Sequence, residues 1–141
     1  EDRLEEAVRA LIRVGLDRVA GYLTPDTLAA FARGGGRLAT TQTIDMTEME
    51  SRRMAGAPVV DVRGAAEFEA GHVPGAINIA HTRVGVSLDA LPKGRPLLVH
   101  CNSGARSAAA VSLLERRGVD AVQVDDLFAN YQAIQHASVT A

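Results

Sequence analysis

Leu97-Leu98-Val99-His100-Cys101-Asn102-Ser103-Gly104-Ala105-Arg106-Ser107 is the stretch that decides how this chain is read, and it holds the only cysteine in the sequence. The apolar run Leu97 to Val99 follows Pro96 and reads as a short buried strand. From Ser107 the chain continues Ser-Ala-Ala-Ala-Val-Ser-Leu-Leu-Glu-Arg-Arg, a run of good helix formers that stops at Gly118. Only Cys101 to Arg106 lie between the two. A strand that turns through a glycine straight into a helix directs several unpaired backbone N–H groups into one small space. The helix dipole adds partial positive charge at the same point. A thiol at the strand end, facing that cradle, is expected to ionise readily and act as a nucleophile. Gly104 permits a backbone conformation that a side chain resists, and Arg106 has the planar fork to grip an anionic group.

Length and composition narrow the field. At 141 residues, 47% of them apolar, the chain is long enough for one real core with some length left over. No apolar run reaches membrane-spanning length, so no membrane partner is expected. A formal net charge of −2 argues against general nucleic-acid affinity. One cysteine makes neither an internal disulfide nor a thiolate zinc site, and no His or carboxylate cluster has metal-ligand spacing. No metal and no cofactor are therefore expected, and a free reactive thiol suits the reducing cytoplasm.

Around the central stretch, strand-like and helix-like segments alternate. Thr41 to Asp45 reads as an edge strand, and Thr47-Glu48-Met49-Glu50 as a capping box that opens a helix running to about Ala55. Val59 to Val62 is a second apolar strand, Ala65 to Ala70 a turn or two of helix, and Ala76 to Ile79 another short strand. Val86 to Leu91 has helical character before the stop at Pro92-Lys93-Gly94, and Ala121 to Val124 is the last strand. This alternation predicts an α/β fold: an open, mainly parallel sheet with helices on both faces. Such sheets bind ligands at the carboxyl ends of their strands, where Cys101 sits.

Residues 1–37 stand apart. Leu4 to Val14 carry a helical apolar stripe, Asp17 to Leu23 reads as a short strand, and Thr24-Pro25 starts a second helix that ends at Gly34-Gly35-Gly36. Shifted by 103 residues, this opening matches the helix and strand after the cysteine loop at seven positions, from Ala7/Ala110 to Val19/Val122. The segment 1–37 is therefore read as the tail of a preceding domain of related build, and 38–141 as the main domain.

The pattern Cys-x-x-Gly-x-Arg-Ser after an apolar strand resembles the active-site loop of the rhodanese (sulfurtransferase) family. Upstream, Val59-Val60-Asp61-Val62-Arg63, Glu67-Phe68 and Gly71-His72-Val73-Pro74-Gly75-Ala76-Ile77-Asn78 resemble that family's first signature. Together the motifs span most of residues 42–124. The resemblance implies a rhodanese-like sheet and transfer of sulfane sulfur through a Cys101 persulfide. It also implies a small donor, thiosulfate or a persulfide, and a thiol or cyanide-like acceptor. Arg106 would steady an anionic donor, and Asn102, Ser103, Gly104, Ala105 and Ser107 would form the loop around the sulfur. Asp61 and Arg63 are candidates for the rim of the pocket, against the plainer reading of an ion pair, Arg63 with Glu67, that fixes the turn. His72, in a Pro- and Gly-flanked turn, is read as a backbone hydrogen-bonding residue, and His100 as a core residue on the face opposite Cys101. His81 and Arg83 lie in a loop that could border the entrance.

Two other readings stay open at this level: a rhodanese-like docking module without catalysis, and a cysteine-dependent phosphatase or arsenate reductase. The retained Cys101, Gly104 and Arg106 argue against the first. The four residues between Cys101 and Arg106 argue against the second, whose family pattern has a longer loop. The loop interior carries no charge, which suggests weak use of thiosulfate. The family's Gly-Gly turn after the last strand is replaced by Asp125-Asp126, which alters the nearby surface. The segment Arg13 to Leu23 also resembles the joint between a metallo-β-lactamase-like domain and a rhodanese domain in bacterial fusion proteins, and so implies a preceding catalytic domain.

Overall fold

A computed structural model describes residues 3–13 and 15–139, and of residues 138 and 139 the backbone only. Val14 of the apolar stripe lies outside the described residues, as do positions 1, 2, 140 and 141. The chain divides into two compact units, Glu1–Thr40 and Thr41–Ala141.

The first unit contains helices α1 (Leu4–Arg13) and α2 (Pro25–Arg33), neither of which buries a residue. Thr24 caps α2 as its sequence predicts: its hydroxyl accepts the Thr27 N–H at 3.2 Å, and Pro25 takes the first helical position, where no N–H is needed. The strand expected at Asp17 to Leu23 does not form; residues 16–24 have no regular secondary structure and pair with no strand among the described residues. A strand persists only when a neighbour accepts its ladder of hydrogen bonds, and here none does. The related segment Ala121–Val124 has neighbours on both sides and is regular.

The second unit is built on five strands: β1 (Thr43–Ile44), β2 (Val59–Asp61), β3 (Ile77–Asn78), β4 (Leu97–His100) and β5 (Ala121–Val124). Every pairing is parallel, and the order is β1-β5-β4-β2-β3. Between the strands run α3 (Met46–Met54), α4 (Ala65–Glu69), two 3-10 turns (His81–Val86 and Leu88–Ala90), α5 (Ala105–Arg116) and finally α6 (Phe128–Val139). Parallel strands covered on both faces read as continuous apolar runs, and β4 and β5 are buried at every position. Alternate residues then serve two separate cores. Val60, Val62, Leu97, Val99 and Cys101 pack with Ala110, Val111 and Leu114 of α5. Val59, Leu98, Val122 and Val124 pack with Met46 and Met49 of α3 and Phe128 and Tyr131 of α6.

Helix starts differ from the sequence expectation in two places. α3 is capped by Asp45, whose carboxylate accepts the Glu48 N–H at 2.8 Å, so the cap lies two residues before the expected Thr47. Glu48, in the first turn, pairs with Arg52 instead of completing a box. α5 begins at Ala105, not at Ser107. That shift places Arg106 and Ser107 in the first helical turn, where their N–H groups have no partner within the helix.

Candidate active site

Cys101 directly follows β4, at the carboxyl end of the central strand, and is almost wholly buried. The loop that follows is short because Gly104, the N-cap of α5, takes φ +89 and ψ −34, a left-handed conformation that reverses the chain in one residue. The loop is also anchored from beneath. Gln123 Nε2 donates to the Gly104 carbonyl at 3.4 Å, and the Phe128 N–H donates to the Asn102 carbonyl at 3.0 Å.

Burial pushes the Cys101 thiol up. Backbone N–H groups of Ser103, Ser107 and Arg106, with the Ser107 hydroxyl, outweigh that cost and hold its pKa below the usual thiol value. The Ser107 hydroxyl lies 3.7 Å from the sulfur and is itself fixed by the carbonyls of Gly104 at 2.8 Å and Val124 at 3.2 Å. These donors come from the loop and from the first turn of a twelve-residue helix, whose dipole acts in the same sense. The arrangement stabilises negative charge on a sulfur at the strand end.

Arg106 differs from the sequence expectation. Its fork is occupied by Glu67: Nη1 donates to Oε2 at 2.7 Å and Nη2 to Oε1 at 2.8 Å. Glu67 also accepts the Gly64 N–H at 3.1 Å. Arg106 and the Gly64 N–H bring the Glu67 carboxyl down to about 2. Arg106 is raised in turn, chiefly by Glu67 and then by the neighbouring Cys101. The pair straps α4 to the first turn of α5 and fixes the open side of the cysteine loop.

Asp61 and Arg63 do not form a rim. Asp61 is fully buried and Arg63 only 4% exposed. Arg63 Nη2 donates to Asp61 Oδ2 at 2.6 Å and to the Gly71 carbonyl at 2.7 Å, while its guanidinium lies 3.8 Å over the Phe128 ring. The ion pair anticipated for Arg63 exists, but with Asp61; Glu67 belongs to Arg106. His100 lies beside this pair on the face opposite Cys101, as its place in the strand requires, stacked 5.6 Å from Phe128. Burial lowers its pKa, against a smaller opposing effect of Asp61. Its Nε2 is 3.5 Å from Asp61 Oδ2 without an aligned hydrogen bond. His72 Nδ1 is 2.9 Å from the Phe68 carbonyl and its ring stacks on Phe68. His81 and Arg83 are exposed on a 3-10 turn.

Of the residues singled out from the sequence, the structure gathers Cys101, Ser103, Gly104, Arg106 and Ser107 around one sulfur, with Asn102 and Ala105 completing the loop. Two residues at this site were missed by sequence reasoning as loop partners, Glu67 and Asp125. A Cβ on Gly104 would overlap Asp125 Oδ1 and lie 3.2 Å from its Cγ. Among the described residues no group of three His, Cys, Asp or Glu could hold a metal ion, and no helix is long and apolar enough to cross a membrane.

A buried cysteine, cradled by N–H donors between a parallel strand and a helix start, defines the class: an α/β protein whose loop favours the thiolate form of its cysteine. The rhodanese-like domain model matches residues 45–132, and the chain belongs to that family. It is 37% identical over 91 residues to the thiosulfate sulfurtransferase GlpE of Pseudomonas putida, a match covering 60% of this chain and 78% of that protein. It is 34% identical over 65 residues to a tRNA sulfurtransferase of Thermoplasma acidophilum, covering 46% of this chain but only 13% of that much longer protein. The crystal structure of a rhodanese-like domain protein from Staphylococcus aureus superposes with a TM-score of 0.60 at 28% identity, covering 64% of this chain and 91% of that one.

Proposed function

We propose that this chain is a sulfurtransferase domain that carries sulfane sulfur on Cys101. The observation that carries the reading is the set of N–H donors, from Ser103, Arg106 and Ser107, aimed at the Cys101 sulfur. Those donors stabilise a thiolate before reaction and a persulfide anion after it, so the loop need not reorganise between the two states. In the first half-reaction the Cys101 thiolate attacks the outer sulfur of the donor. A new S–S bond forms, and the old one breaks with its electron pair leaving on sulfite or on a thiolate. In the second, a thiolate or cyanide attacks the outer sulfur of the persulfide, and Cys101 leaves as thiolate. No proton, oxidant or cofactor is required at either step. Arg106, held by Glu67, keeps the loop in shape beside the sulfur. The names of the relatives, a thiosulfate sulfurtransferase and a tRNA sulfurtransferase, agree with sulfur transfer. A cytoplasmic setting and a preceding catalytic domain complete the proposal.

Steady-state assays with thiosulfate or a persulfide as donor and cyanide as acceptor test it. Ping-pong kinetics, with parallel double-reciprocal lines, are expected, together with no hydrolysis of an aryl phosphate. Phosphatase activity would overturn the assignment. Absence of transfer from every donor would turn it toward a docking module.

A further inference from the structure

The turn after β5 places two aspartates next to the cysteine loop, and they do different work. Asp126 is fully engaged: Oδ2 accepts the Met46 N–H at 3.1 Å, and Oδ1 accepts the Leu127 N–H at 2.7 Å and Asn130 Nδ2 at 2.6 Å. It joins α3 to α6. Asp125 is held only through its backbone, whose N–H donates to the Ile44 carbonyl at 2.9 Å. Its exposed carboxylate has no hydrogen bond or ion pair among the described residues, yet it packs against the Cα of Gly104. Two contacts in series, of 3.7 and 2.8 Å through the Ser107 hydroxyl, join the Cys101 sulfur to the Gly104 carbonyl. The Asp125 carboxylate therefore lies against the turn that carries this chain of contacts to the sulfur.

The other charges at the site cancel. Arg106 is neutralised by Glu67 and Arg63 by Asp61, and the loop residues Asn102, Ser103, Gly104 and Ala105 carry none. Against the thiolate the backbone supplies only partial positive charge. Of the two aspartates in this turn, Asp126 has its charge spread over three N–H donors, whereas among the described residues neither an ion pair nor a hydrogen bond offsets the carboxylate of Asp125.

Resting on the sulfurtransferase reading, we infer that Asp125 selects the sulfur donor. Its carboxylate, set against the cysteine loop, disfavours dianionic oxyanion donors such as thiosulfate and leaves donors of lower negative charge, persulfides foremost, as the preferred class. Transfer from thiosulfate brings a dianion onto a thiolate and releases a dianion, sulfite, so the full repulsion is met on approach. A monoanion meets half of it.

Thiosulfate and methanethiosulfonate deliver the same outer sulfur from a sulfonyl group but carry two charges and one. kcat/KM for each donor, with cyanide as acceptor, would be measured for the full chain as wild type, Asp125→Asn and Asp125→Glu, at low ionic strength and in 1 M NaCl. Asp125→Asn is expected to raise kcat/KM about three- to tenfold for thiosulfate and about twofold for methanethiosulfonate at low salt. Both gains should shrink toward unity in 1 M salt, and Asp125→Glu should behave as wild type. Thermal unfolding of each variant checks the fold, and Asp125→Ser stands in if Asn is not tolerated. Equal changes for the two donors, or a change indifferent to salt, would overturn the inference while leaving the sulfurtransferase reading in place. No transfer from either donor, in any variant, would overturn both.

Discussion

Replacing Gly104 with alanine tests whether the cysteine loop depends on its backbone conformation or merely on space. At φ +89 an alanine pays a steric penalty of about 1–2 kcal/mol from its own Cβ. The new methyl also overlaps Asp125 Oδ1 and approaches the Asp125 Cα to 3.6 Å. Asp125 is exposed and its carboxylate is unbonded among the described residues, so a rotamer change relieves most of that overlap at little cost. Backbone strain should therefore dominate. For a unit the size of Thr41–Ala141 that loss lowers the melting temperature by about 5–12 °C. The double variant Gly104→Ala/Asp125→Ala removes the overlap but not the strain, and should recover no more than about a third of the loss. Sulfur loading should fall on the order of tenfold or more, since the donors of Ser103, Arg106 and Ser107 are aimed by this turn. Circular dichroism melts of the three proteins, with loading followed by mass, decide the matter. Melting of Gly104→Ala within a degree of wild type, or full recovery in the double variant, would refute the reasoning.

Further outcomes follow from the same geometry. Arg63→Met leaves Asp61 buried without its partner and should cost about 3–5 kcal/mol in urea unfolding, whereas Asp61→Leu/Arg63→Met should recover most of it. Because the N–H donors around it hold the Cys101 pKa below that of an ordinary thiol, the rate of alkylation by iodoacetamide should rise with pH to a midpoint below that of a free cysteine run alongside. Ser107→Ala removes the hydroxyl beside the sulfur, one of the groups that lower the Cys101 pKa, and should move that midpoint upward; an unchanged profile would show that the hydroxyl does not act on the sulfur.

The parts of the fold that were legible in the sequence are those fixed by local pattern. Leu97 to Val99 is apolar throughout, and Ala121 to Val124 is apolar except at Gln123, because both faces of a parallel strand are covered; the turn at Gly104 follows from a glycine between an apolar strand and a run of helix formers. The parts that were not legible depend on partners distant in the chain. Glu67 and Arg106 are 39 residues apart, and nothing local distinguishes Glu67 as a partner of Arg106 from Glu67 as a partner of Arg63. The Asp61–Arg63 pair, by contrast, is only two residues apart but looked like charge at a strand end. Its burial comes from α6, whose Phe128 closes over it. Asp45 outcompeted Thr47 as a cap because β1 ends immediately before it, leaving it extended where a cap must be. The strand pattern at Asp17 to Leu23 is real as a pattern, yet pattern supplies no neighbour for it. Asp125 was visible as a departure from the family turn, but its contact with Gly104 exists only once β5 and the cysteine loop lie side by side.

The central claim, that Cys101 carries the sulfur, is tested most directly by intact mass after incubation with thiosulfate and, separately, with glutathione persulfide. Wild type and Cys101→Ser would be run together, and excess cyanide added afterwards. The account predicts a gain of one sulfur atom in wild type alone, reversed by cyanide. A gain that persists in Cys101→Ser, or none in wild type with either donor, would contradict it.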